Sequence, residues 1–224
     1  MALSIIVPML NEAAALPGLL AQLARWRTCG CEVVVVDGGS TDGSAAMARA
    51  AGFTVVDAER GRARQMNAGA ALARGEVLLF LHADTQLPAD ADVAVRAALA
   101  DGRRDWGRFD VRIAGRSPML RVVAGLMNLR SRLTGIATGD QAMFVRREAF
   151  DAVGGFPLQP LMEDIELSQR LLWRSRPACL RARVTTSGRR WEQRGVWRTI
   201  VLMWRLRWAY WRGVPAEVLA EAYR

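Results

Sequence analysis

The chain has 224 residues, 51% of them hydrophobic, with a formal charge of +9 at pH 7. That length supports one large domain with its own core, and apolar runs of about five residues fall far short of the roughly 20 a membrane helix needs. The surplus of arginine, with a pI near 11.1, favours an anionic partner: a nucleic acid, lipid head groups or a phosphorylated substrate.

The opening Met1, Ala2, Leu3 and Ser4 carry no basic region, and Pro8, Asn11 and Glu12 interrupt the apolar run that follows. No signal peptide is therefore expected, and the reading places the protein in the cytoplasm. Cys29, Cys31 and Cys179 are odd in number, and His82 is the single histidine, so neither a disulfide framework nor a zinc site is expected.

In chain order, residues 4–8 form an apolar strand ending at Asn11 and Glu12. Leu16, Leu19, Leu20 and Leu23 then share one face of a helix. A strand over 33–37 ends in Asp37, and Ser40, Thr41 and Asp42 are placed to cap an alanine-rich helix reaching Ala51. A short strand over 53–56, a helix over 62–74 and an apolar strand over 77–81 follow. This alternation predicts an α/β fold with a mostly parallel sheet flanked by helices.

Beyond residue 100 the pattern changes. Phe109, Val111 and Ile113 alternate with Arg108, Asp110 and Arg112, which predicts a half-exposed strand. A helix over 119–133, a strand over 142–145, a helix over 164–173 and a last strand over 182–186 complete the expected domain, residues 1–192. Residues 193–224 form an amphipathic, basic tail, in which Trp197, Trp204, Trp208 and Trp211 recur at helical spacing among Arg198, Arg205, Arg207 and Arg212. Indole and guanidinium both suit a head-group layer, so the tail is expected to meet an anionic membrane surface.

Apolar strands that each end in polar residues suggest a site at one sheet edge. Asp37, ahead of Gly38 and Gly39, can accept hydrogen bonds from a nucleobase, and the turn's N–H groups suit phosphates. Asp84, with His82 beside it, can hold a divalent cation on a diphosphate, since such a cation takes only one or two protein ligands. Glu163 and Asp164 open an amphipathic helix, where a carboxylate can act as general base or simply complement the helix dipole. Arg62, Arg64 and Gln65, just before Asn67, and farther on Arg189, Arg190 and Trp191, offer groups for phosphates or a stacked ring.

These motifs, in this order, resemble the family 2 glycosyltransferases with the GT-A (Rossmann-like) fold, and above all its compact stand-alone bacterial members. Residues 4–12 are similar to that family's opening strand, 33–40 to its base-contacting segment, 82–84 to its Asp-x-Asp position and 163–164 to its Glu-Asp pair. The resemblance implies a UDP- or GDP-sugar at the strand ends, with Pro8, Asn11 and Glu12 flanking the base and ribose and Asp37 on the base. It implies Mg2+ or Mn2+ on Asp84, with His82 as a further ligand, and Arg62, Arg64, Asn67 and Arg190 on the donor. Asp164 would deprotonate the acceptor hydroxyl and the anomeric configuration would invert, with Glu163 and Trp191 in acceptor or auxiliary roles.

The sequence departs from the pattern in places. His82 replaces the first aspartate of Asp-x-Asp, the family's Ala-Arg-Asn run becomes Gln65, Met66 and Asn67, and residues 187–191 lack the glutamine of the processive synthases. A single transfer is expected, at the inner face of the cell membrane. A nucleotidyltransferase would need a glycine-rich, Lys/Arg-containing loop after the first strand, which is missing. A nucleic-acid-binding module would bring phosphates against the strand-end acids, so no nucleic acid is expected.

Overall fold

A computed structural model describes residues 1–223. The strands are β1 (Leu3–Met9), β2 (Glu32–Asp37), β3 (Thr54–Asp57), β4 (Val77–Phe80), β5 (Thr85–Gln86), β6 (Trp106–Ala114), β7 (Phe144–Arg146) and β8 (Ala178–Ser187). The helices are α1 (Leu16–Thr28), α2 (Ser44–Ala50), α3 (Arg62–Leu72), α4 (Ala91–Leu99), α5 (Met119–Thr134), α6 (Arg147–Ala152), α7 (Glu163–Leu172), α8 (Arg189–Arg194), α9 (Val196–Trp211) and α10 (Ala216–Tyr223).

The strands form one sheet in the order β3-β2-β1-β4-β7-β6-β8-β5. Its first half is parallel, as continuous apolar strands covered on both faces demand. β4–β7, β7–β6 and β8–β5 are antiparallel, and β6–β8 is parallel again. β1 pairs with β2 so that Met9 lies opposite Asp37, and β2 with β3 so that Asp37 lies opposite Asp57. The loops after β1 and β2 therefore leave the sheet at one level.

One core side is built from α1, whose Leu16, Leu19, Leu23 and Trp26 are buried on the sheet with Leu3, Ile5, Val7, Val33 and Val35. The opposite side carries α3 against Ile6, Val34 and Val36. Gly69 lets α3 approach: a Cβ there would lie 2.5 Å from Ile6 Cγ2 and 2.8 Å from Val36 Cγ2.

Three expectations change. The helix expected from Ser40–Asp42 begins at Ser44, behind Gly43 at φ 85°. Asp42 lies outside it, accepting hydrogen bonds from the Ser44 and Ala13 N–H groups. Second, the polar face of β6 is covered: Arg108 is fully buried and Asp110 nearly so, while Arg112 is exposed. Helix α5 lies over it, and Asp110 pairs with both Arg108 and Arg132, the latter at 2.8 Å. Arg108 Nε also donates to Ser131 Oγ at 3.0 Å, so the buried charges are paired and hydrogen-bonded. Third, the tail breaks at Gly195 (φ 84°) and Gly213 (φ 86°), and the expected boundary at 192/193 falls inside α8.

The tail packs on the domain through one face and leaves another free. Leu206 and Leu219 form a small cluster with Met162 and Ile165 at the start of α7. Trp197, Trp204, Trp208 and Trp211 point away, 61–77% exposed. Among the described residues no helix is long and apolar enough to cross a membrane.

Candidate active site at the sheet edge

The loops leaving β1 and β2 are stitched together by the residues that the sequence singled out. Asn11, at φ 53°, accepts from the Thr41 N–H at 2.8 Å, and its own N–H donates to Ser40 Oγ at 2.9 Å. The Glu12 N–H donates to Ser44 Oγ at 2.9 Å. Asp37 Oδ2 accepts from the Gly39 and Ser40 N–H groups at 3.0 and 2.9 Å, and Oδ1 from the Ser40 hydroxyl. Asp37 is buried and builds the turn itself, which leaves about one acceptor position for a ligand. Pro8, on β1, is half-buried opposite Val36.

Gln65, expected beside Arg62 and Arg64 to reach phosphates, instead reaches under this turn. It is buried, and its Nε2 donates to the Met9 and Val36 carbonyls at 2.8 and 2.9 Å. A helix-face glutamine beside Asn67 carries no signal of that role in the sequence. Asn67 spends both ends of its amide on the Phe156 backbone, donating at 2.8 Å and accepting at 2.9 Å. It anchors the glycine turn before α7. Arg64 pairs with Glu59 on the surface.

The other candidates converge. Asp84 is exposed, and its carboxylate receives a single hydrogen bond among the described residues, from Thr85 Oγ1 at 3.3 Å. Glu12 and Arg190 both lie within electrostatic reach of it. Burial raises the Glu12 pKa above its ordinary value, against the pull of Arg189 and with Asp84 and Asp42 adding to it. Arg190 lies near Arg62, Asp140 and Asp84, and its guanidinium stands 4.7 Å from the centroid of the Tyr223 ring. Trp191 is half-buried and packs against the main core.

A turn over Gly139–Gln141 closes the site, braced by a capping box between Thr138 and Gln141. Its Gly139 and Asp140 were missed, although the Thr-x-x-Gln spacing was readable. His82 Nδ1 lies 3.3 Å from Asp140 Oδ1, and its Nε2 is buried against Gly139, where a Cβ would come within 2.3 Å. Burial alone would raise the Asp140 carboxyl; the hydrogen bond and charge of His82, with Arg62 and Arg190, hold it below its ordinary value.

Met162, in a left-handed conformation (φ 65°), turns the chain into α7. Asp164 is half-buried at the first turn and accepts from the Gly139 N–H and from its neighbour's, Ile165, each at 2.8 Å. Glu163 is buried, 3.7 Å from an Arg62 nitrogen. Burial, then the Asp164 charge, raises its pKa, and Arg62 and His82 offset only part of that.

A parallel half-sheet edge with carboxylates and arginines around a cleft defines the GT-A glycosyltransferase fold, and solved structures of that class superpose on this chain. A mannosyltransferase from Pyrobaculum calidifontis, in complex with GDP-Man and Mn2+, gives a TM-score of 0.68 at 25% identity, covering 92% of this chain and 60% of that one. TarS of S. aureus gives 0.67 at 21% identity, covering 84% and 61%, and has also been solved with UDP-GlcNAc. The family model for glycosyl transferase family 2 matches residues 4–154. The chain belongs to that family.

The PGL/p-HBAD biosynthesis glycosyltransferase of Mycobacterium tuberculosis is 38% identical over 167 residues, 70% of this chain and 63% of the relative. The undecaprenyl-phosphate 4-deoxy-4-formamido-L-arabinose transferase of Pseudomonas paraeruginosa is 31% identical, over 64% of this chain and 45% of that protein. The chain thus spans less than two thirds of these relatives' length. The family match ends before Glu163 and Asp164.

The raised Glu163 pKa has a thermodynamic consequence. Between its unfolded value near 4.5 and its higher folded value, the native state binds the extra proton, so stability falls as pH rises through that window. Glu163→Gln is expected to be more stable than wild type at pH 7, with the difference disappearing below about pH 4. Urea denaturation at the two pH values checks this; equal stability at pH 7 would contradict it.

Proposed function

We propose that the chain transfers one sugar from a nucleotide sugar to an acceptor hydroxyl, with inversion at the anomeric carbon. The observation that carries this reading is the Asp164 carboxylate, held by two backbone N–H groups at the start of α7 beside the arginine-lined cleft. The acceptor oxygen attacks the anomeric carbon opposite the leaving diphosphate. The new C–O bond forms as the old one breaks, its electron pair leaves with the nucleoside diphosphate, and the hydroxyl proton passes to Asp164.

The donor is a UDP- or GDP-sugar, the class bound by the S. aureus and Pyrobaculum proteins. Glu12 and Asp37 meet the base and ribose, in a pocket whose shape Pro8 and Asn11 set. Arg62 and Arg190 face the diphosphate, whose growing negative charge fixed guanidiniums stabilise. Asp84 fits a divalent ion such as Mg2+ or Mn2+: its carboxylate is exposed, and such an ion on a diphosphate needs only one or two carboxylates. When bound, the ion neutralises diphosphate charge. His82, with one nitrogen toward Asp140 and the other buried, positions the 139–141 turn. Arg64 and Asn67 act on the donor only indirectly, through their contacts with Glu59 and the Phe156 backbone.

The catalytic unit runs through the end of α8, and the tail beyond Gly195 meets a membrane from the side. The exposed tryptophans of α9, flanked by exposed Arg198, Arg205 and Arg212, support that placement.

Asp164→Asn is expected to bind nucleotide as wild type does and to lose about 10²–10⁴-fold in transfer rate. Wild-type turnover in that variant would remove Asp164 from its role. For the tail, sedimentation with vesicles should show binding to phosphatidylglycerol over phosphatidylcholine, weakened about tenfold in Trp204→Ser/Trp208→Ser. Indifference to either change would leave the stripe without a lipid partner.

A further inference from the structure

A second cavity, of about 620 Å3, lies between α5, α7 and the corner joining α9 to α10. Ile165 and Glu166 line it, so it opens one residue along α7 from Asp164. Arg130 enters it from α5 and Arg207 from α9. The Nε and Nη2 of Arg130 and the Nε of Arg207 are buried with no hydrogen-bond partner. Neither guanidinium forms an ion pair among the described residues. Two arginines thus line one cavity without a carboxylate partner, and an anion entering it would meet both positive charges.

The acidic groups nearby do not fill that role. Glu166 accepts from Arg170 Nε at 3.0 Å and from the Tyr210 hydroxyl at 3.3 Å. Glu217 is exposed to solvent at the rim. Asp164 is within electrostatic reach of Arg130, yet its carboxylate is held by backbone N–H groups. The Arg130 guanidinium is pushed below its ordinary pKa by burial first, with Asp164 opposing and Arg108 adding to it.

The cavity also has an apolar exit. Trp211 lines it and is the last of the exposed tryptophans on α9, so the stripe runs up to its mouth.

We propose that this cavity anchors the acceptor, and that the acceptor carries a phosphate or phosphodiester group on an apolar chain. The anion sits between Arg130 and Arg207, the chain leaves past Trp211, and the acceptor hydroxyl is held toward Asp164. This rests on the glycosyltransferase reading of Asp164, and it assigns that site a substrate class. Guanidinium forks suit phosphate oxygens in two parallel hydrogen bonds, which fixes orientation as well as affinity.

The probe is dodecyl phosphate below its critical micelle concentration, titrated calorimetrically into the whole protein. It is expected to bind at least about tenfold more tightly than dodecyl maltoside, which has the same chain and an uncharged head. Arg130→Gln and Arg207→Gln are each expected to weaken it about tenfold or more, and Arg207→Lys, which keeps charge but not the fork, by less. Glycerol 3-phosphate separates the sources of the anion. Tighter binding of dodecyl phosphate, lost in Trp211→Ala, indicates a lipid; equal binding of the two retains the anion site and overturns the apolar exit.

Nucleotide binding with Mn2+ in the same variants reports that they are folded and reads the donor site independently. Nucleotide binding without any preference for dodecyl phosphate, or with both glutamine variants unaffected, overturns the acceptor subsite alone. Failure of nucleotide binding in wild type overturns the glycosyltransferase reading, and the acceptor role with it.

Discussion

Gly139 sits with the His82 ring on one side and the Asp164 carboxylate on the other. A single added carbon would lie 2.3 Å from His82 Nε2, and the Gly139 N–H is one of the two that hold Asp164. The next residue, Asp140, pairs with His82 and shares the field of Arg62 and Arg190. One short turn thus couples the loop after β4 to the start of α7. On the proposed reading, the His82–Asp140 pair and the Gly139 N–H on Asp164 set the diphosphate that leaves relative to the hydroxyl that attacks. Precise placement of reacting groups is worth more to a transfer reaction than any one of the contacts that achieve it.

The surrounding structure absorbs the electrostatic cost of this arrangement. Glu163 is buried beside Asp164 with only a loose ion pair to Arg62, and its raised pKa is the sign that the fold tolerates an unfavourable charge there. Between β6 and α5 the buried charge is matched. Arg108 and Asp110 are buried between β6 and α5 with Arg132, Ser131 and Asn128 as partners. Breaking such a pair leaves one charge uncompensated, so the network fixes how α5 lies on the sheet, and through α5 where Arg130 enters its cavity.

Much of this was legible in the chain. Apolar runs too short for a membrane and too continuous for an exposed sheet face gave β1, β2 and β4, and their polar endings located the cleft. Alternation in β6 showed which residues share a face, but not that α5 would cover the face holding Arg108 and Asp110. Periodicity has no information about what lies opposite. Asn67 and Gln65 show a related limit: the sequence marks amides near the site, while only packing decides that one clasps the Phe156 backbone and the other ties β1 to β2. His82 drew notice through the Asp-x-Asp position it shares with Asp84; its pairing with Asp140, 58 residues away, became visible only once the turn was in place.

The central claim is that the sheet edge holds a nucleotide sugar with a divalent ion at Asp84. The most direct measurement is the thermal midpoint of the purified protein with UDP, GDP and their sugars, with and without Mn2+. A ligand at about 100 times its Kd stabilises the native state by about 2.7 kcal/mol, which for a chain of this size raises the midpoint by roughly 5–10 °C. The account predicts such a shift for one base, dependent on Mn2+ and lost in Asp84→Ala. No shift with any nucleotide, or the same shift in Asp84→Ala, would contradict it.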